Sequence, residues 1–196
     1  MSLLAQNFRA LMEKNKDVRM TKEAECGVGY PTGFLNFDFT NGCVVHVKSQ
    51  EKGLDYNYFS IGIQDGSMVT FIGRSGCGKS TFISQIAANI VRPFKTSCIF
   101  EDSIEKGLGW PRRELLSGFH EQELKERYIV RDAGITAENF YKRIKMIYDL
   151  KMENPDKYMY DTGVLNNFGN PLMKYEPTVY ILDSIALLMP EKFSDE

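Results

Sequence analysis

Apolar positions recur along the chain at two spacings, and their order sets the fold class. Residues 67–72 (SMVTFI) form a short apolar run entered from Asp65 and Gly66, which predicts a strand. Residues 81–91 (TFISQIAANIV) switch to helical spacing and stop before Pro93, because the residue ahead of a proline is pushed out of the helical region. Further strands are predicted at 97–100, 128–130 and 178–182, with 43–47 (CVVHV) another. Thr136 is a candidate N-cap for a helix in which Phe140, Ile144, Ile147 and Leu150 share one face. Strand, helix, strand, helix, strand at these separations predicts an α/β fold: a mainly parallel sheet flanked by helices. Upstream, Leu3, Leu4, Phe8, Leu11 and Met12 fall near one helical face and predict a short N-terminal helical arm. Residues 152–176 are polar and rich in Asn and Tyr, and predict an exposed irregular insertion.

Composition narrows the class without choosing a partner. The chain has 196 residues, 43% hydrophobic and 26% charged, so a packed core is expected and a disordered chain is not. With 24 basic and 26 acidic side chains the formal net charge is −2, which neither argues for nucleic acid nor excludes a local basic groove. The four cysteines stand far apart, with no C-x-x-C pair, so free thiols in a reducing, cytoplasmic compartment are expected. No run approaches bilayer length, and the first 16 residues lack a continuous apolar signal-peptide core.

The candidate chemistry lies between the first strand and its helix. Gly73, Arg74, Ser75, Gly76, Cys77, Gly78, Lys79 and Ser80 fit G-x-x-x-x-G-K-[ST]. The glycines let successive N–H groups turn inward on phosphate oxygens, and the following helix adds the positive end of its dipole. In this pattern Lys79 meets the β- and γ-phosphates, the Ser80 hydroxyl ligates Mg²⁺, and Thr81 approaches the α-phosphate. Asp183, ending the 178–182 run, is the candidate second holder of Mg²⁺ through its water shell. Glu101 and Asp102 end the strand after the loop helix and are candidates for the base that activates water, with Glu105 a third. ATP and Mg²⁺ are the expected cofactors.

These motifs together resemble the RecA superfamily of P-loop ATPases. Residues 30–38 (YPTGFLNFD) resemble the "STG-x-x-x-LD" segment that precedes the RecA-type core, and 62–66 (GIQDG) its "G-[IL]-x-x-G" turn. Residues 181–188 (ILDSIALL) closely resemble its Walker B segment, more like recombinases and RadA than DnaB helicases. Residues 100–103 (FEDS) are similar to the "F-E-E-S" of KaiC- and RadA/Sms-like members, which implies Glu101 as the base. The "D-x-E" of RecA and UvsX implies Glu105 instead. Trp110 falls where RecA-type proteins carry an aromatic ring against the adenine, and Arg112 and Arg113 face either phosphate or solvent.

The resemblance implies residues 1–29 as the arm and 30–196 as a RecA-like ATPase core, C-terminally incomplete. It implies a homo-oligomeric DNA-dependent ATPase, a RecA/UvsX-like (phage-like) recombinase acting on single-stranded DNA in recombination and repair. A helicase motor of the same superfamily and a non-catalytic ATP-dependent assembly protein are the rival expectations. The DNA-contacting loops of RecA-type proteins lie beyond the segment corresponding to residue 196.

Overall fold

A buried carboxylate organises the segment that leads into the core. Asp38 accepts hydrogen bonds from the Thr32 backbone N–H (2.7 Å), the Thr32 hydroxyl (2.6 Å) and the Gly33 N–H (3.2 Å). Those three donors offset the cost of taking a charge out of water, and they fix the turn between β1 (Gly29–Tyr30) and α1 (Leu35–Asn41). The structure, a computed structural model, describes residues 27–50, 52–105 and 107–191. The expected N-terminal arm lies almost wholly outside the described residues.

β2 (Cys43–Ser49) and β3 (Leu54–Ser60) form an antiparallel hairpin in continuous register from Cys43 opposite Ser60 to Ser49 opposite Leu54. β4 (Ile63–Gln64) then pairs with β1, Tyr30 opposite Ile63. Gly62 makes that pairing possible: its φ is +80°, and a Cβ there would stand 2.1 Å from the Tyr30 carbonyl oxygen.

Residues 67–72 depart from expectation. They join no ladder among the described residues, although their composition predicts a strand. A strand persists only where its N–H and C=O groups meet a neighbour's, and composition does not supply the neighbour. Phe71 nevertheless packs between Phe37 and Phe82, at ring separations of 6.1 and 5.5 Å, whereas Ile72 is 93% exposed. The loop helix forms as expected, as α2 (Lys79–Val91), closed by the Arg92 N–H on the Ala88 carbonyl.

β5 (Ile99–Ser103) is the centre of a three-stranded parallel sheet. It is followed by α3 (Trp110–Ser117), α4 (Glu121–Arg127) and β6 (Tyr128–Arg131). Next come α5 (Ala137–Glu153), the one-turn α6 (Pro155–Tyr158), β7 (Met159–Leu165), β8 (Pro171–Tyr175) and β9 (Val179–Asp183). The sheet order is β6–β5–β9, with Ile99 opposite both Tyr128 and Val179. The fold is therefore α/β with a parallel sheet, the architecture of a P-loop NTPase core. A 3₁₀ turn (Ile185–Leu187) follows β9. Thr136 caps α5 as the sequence predicts, its hydroxyl accepting from the Asn139 N–H at 3.2 Å.

The insertion at 152–176 is more regular than its composition predicts. β7 and β8 form an antiparallel hairpin whose turn is closed by the Asn166 side chain, accepting from the Phe168 and Asn170 N–H groups. Asparagine supplies that turn by bonding backbone groups just downstream of itself.

The core sits between α2 and the sheet. Ala87, Ala88 and Val91 of α2 meet Ile99, Ile181, Phe119, Leu124 and Tyr128, while Ile86 and Ile90 turn the other way onto Tyr30. Burial on two sides holds α2 rigidly, which fixes where its N-terminus opens. No helix among the described residues is long and apolar enough to cross a membrane.

Candidate functional site: the phosphate loop and its neighbours

The loop is shaped by its glycines. Gly76 and Gly78 have φ of +76° and +89°, and a Cβ on either would meet nothing within 4 Å, so both face open space. Gly78 is the N-cap residue of α2, which leaves the positive end of the helix directed at the loop. Lys79 folds back across the loop, donating to the carbonyls of Gly73 and Arg74 at 3.0 Å each. Arg74, Ser75 and Cys77 are exposed around it.

Ser80 and Asp183, 103 positions apart in sequence, meet directly: the Ser80 hydroxyl donates to Asp183 Oδ2 at 2.6 Å. The parallel register puts the end of β9 level with the end of β5, Ser103 opposite Asp183, and α2 packs over β9. A hydroxyl and a carboxylate are hard oxygen donors of the kind Mg²⁺ takes. Among the described residues there is no cluster of three or more His, Cys, Asp or Glu. Mg²⁺ commonly binds through one or two protein oxygens, completed by water and phosphate, so the donor set fits it. The loop's open concavity, its cation and its helix N-terminus likewise fit a polyphosphate.

A cavity of about 490 Å³ opens beside the loop. Phe34, Phe71, Ile72 and Phe82 form its apolar side, and Cys77, Lys79, Thr81, Gln85 and Arg112 its polar side. An apolar wall with a few convergent polar groups is the usual character of a small-molecule site. The aromatic wall comes from three separate segments that only the fold brings together, so no local sequence pattern marks it. Arg112 donates to the Thr81 hydroxyl at 3.0 Å. The dipeptide at 112–113 was legible, but not which arginine faces the cavity.

Trp110 does not line this cavity. It begins α3, 47% exposed, with the Arg113 guanidinium 5.7 Å from its ring centroid. The three acidic candidates after the loop helix are held differently. Glu101 is buried and accepts from Arg113 Nη2 and Nε at 2.6 and 3.0 Å and from the Tyr128 hydroxyl at 2.7 Å. Burial opposes the charge on Arg113, but Glu101 outweighs it and the guanidinium is held above its ordinary range. Asp102 points to the opposite face of the sheet, as alternation along a strand requires, and pairs with Arg143 of α5 and with the Tyr180 hydroxyl. Neither carboxylate meets Ser80 or Asp183. Glu105 stands at the same end as Asp183, its N–H 3.3 Å from the Asp183 carbonyl, and its side chain is exposed.

Neither the curated proteins nor the solved structures gave a match to this chain. One family model does match it, that of the ABC transporter family, over residues 56–180, well over half of the chain. The match takes in the phosphate loop, α2, the β5–β6 pair and the first two residues of β9, and ends before Asp183. It supports ATP binding and a P-loop ATPase, and it belongs to a different branch of that class from the recombinases. Phosphate loop, Ser80–Asp183 contact and family match agree: the chain is an ATP-binding P-loop ATPase and belongs to the ABC transporter family.

Proposed function

We propose that this chain hydrolyses ATP with Mg²⁺ held at Ser80 and Asp183, and that this P-loop motor works on single-stranded DNA in the manner of a RecA/UvsX-like recombinase. The observation that carries the hydrolytic part is the 2.6 Å contact between Ser80 and Asp183 beside the phosphate loop. Mg²⁺ bound there would neutralise charge developing on the phosphates. Lys79 binds and orients the terminal phosphates, and the N-terminus of α2 adds its partial positive charge. Glu105 is the carboxylate we assign to water activation, because it is exposed beside Asp183 while Glu101 and Asp102 are committed to arginines. Glu105→Gln is expected to lower kcat by about a hundredfold or more with ATP affinity little changed. Unchanged kcat removes Glu105 from the reaction.

The recombinase part is supported by how the RecA-like segments assemble. Residues 30–38 and 62–66 form one unit, through the β1–β4 pair and the Gly62 N–H on the Asp38 carbonyl at 2.9 Å. That unit is bound to α2 by the Asn89 amide on the Thr32 carbonyl at 2.7 Å. Steady-state ATP turnover with and without single-stranded DNA tests the reading, with Lys79→Ala as the control for contaminating activity. Stimulation by DNA supports a recombinase. Turnover indifferent to DNA favours the second reading, that hydrolysis drives a transporter-type partner, which the family match favours.

A further inference from the structure

Adjacent arginines on α3 have opposite fates. Arg113 is 4% exposed and gives two hydrogen bonds to Glu101 and another to the Leu108 carbonyl. Tyr128 closes the far side of the same carboxylate, so three elements (α3, β5 and β6) converge on one buried ion pair. Arg112 is exposed and reaches over the first turn of α2 to the Thr81 hydroxyl. Neighbouring helix positions are about 100° apart, so locking Arg113 inward on β5 sets the direction of Arg112. It enters the cavity from the Thr81 side, whereas Lys79, the other cation of the lining, folds back on the Gly73 and Arg74 carbonyls. A planar guanidinium is suited to phosphate oxygens, and an exposed one held by a single neutral hydroxyl exchanges that partner readily for an anion.

We propose that Arg112 is a nucleotide-binding residue that contacts the α-phosphate, and that the buried Glu101–Arg113 pair is the positioning device that aims it there. The proposal rests on the ATP-binding reading and gives the cavity a second cation, on the side away from the hydrolysed bond. Arg112 therefore grips nucleoside diphosphates and triphosphates alike and contributes to affinity rather than to the chemical step. Glu101 acts through α3, not on water.

Calorimetric titration of the whole chain with MgATP and MgADP tests both halves, alongside steady-state kinetics. Arg112→Gln, a surface change, is expected to weaken ATP and ADP by a similar factor, about tenfold, the usual effect of losing one charged hydrogen bond. Glu101→Gln is expected to raise KM several-fold, keep kcat within about twofold, and add little in the Arg112→Gln background. Arg113→Lys, which keeps the charge pair but loses the fork, is expected to act the same way more weakly, and serves if Glu101→Gln fails to fold by circular dichroism. Wild-type affinity in Arg112→Gln overturns the proposal, as does a loss confined to ATP, which would place Arg112 on the γ-phosphate. Additive effects, or a collapse of kcat in Glu101→Gln with KM intact, overturn the positioning role. A wild-type chain that binds neither nucleotide would instead refute the ATP-binding reading underneath.

Discussion

Removing Arg113 isolates a charge that the fold cannot rehydrate. Glu101 and Arg113 are 3% and 4% exposed, and the three strong donors to the carboxylate are the two guanidinium nitrogens and the Tyr128 hydroxyl. In Arg113→Met the methionine fills much of the volume, but Glu101 keeps only the tyrosine. Breaking a buried pair from one side costs about 3–5 kcal/mol, because one ion remains desolvated without its counter-charge. For a chain of this length that lowers Tm by roughly 6–20 °C, at about 2–4 °C per kcal/mol. The double variant Glu101→Met with Arg113→Met removes both charges and is expected to regain most of the loss, since a hydrophobic pair of similar volume is often neutral or stabilising. Thermal melts followed by circular dichroism, with urea titrations to check two-state behaviour, read both variants. A Tm for Arg113→Met within about 2 °C of wild type, or a double variant as unstable as the two single losses together, would refute the reasoning.

Thr136→Ala removes the cap hydroxyl of α5 and is expected to cost about 1 kcal/mol, seen as a Tm drop of about 2–4 °C. Burial, reinforced by Asp102 and opposed by Arg143, pushes the Tyr180 phenol up to about 12, while Tyr128 is pushed higher still. Because the folded value lies above the ordinary value near 10, Tyr180's contribution to stability is complete below pH 10 and lost as pH rises toward 12. Phenolate absorbance during alkaline titration should therefore show a late tyrosine that disappears in Tyr180→Phe. An unchanged titration curve in that variant would contradict it.

How much was legible in the sequence follows the range of the interactions involved. The phosphate loop, the helix after it and the Thr136 cap could be read because glycine conformation, helical spacing and capping act within a few residues. Asp183 was legible as a candidate neighbour of the phosphate loop because it ends an apolar strand, and the structure places its carboxylate on the Ser80 hydroxyl. Tertiary structure alone decided the rest. It left 67–72 outside every ladder among the described residues, since a ladder needs a neighbour that composition cannot name. It folded the polar insertion into a hairpin closed by Asn166, using side-chain bonds that a hydropathy pattern does not register. It also decided the acidic candidates. Alternation along β5 sends Glu101 and Asp102 to opposite faces, and which arginine waits on each face depends on how α3 and α5 dock. Local pattern was enough to mark residues 73–80 as the candidate phosphate loop. Packing decided which charges are free to take part, because a buried charge must be paired and its partner comes from another element.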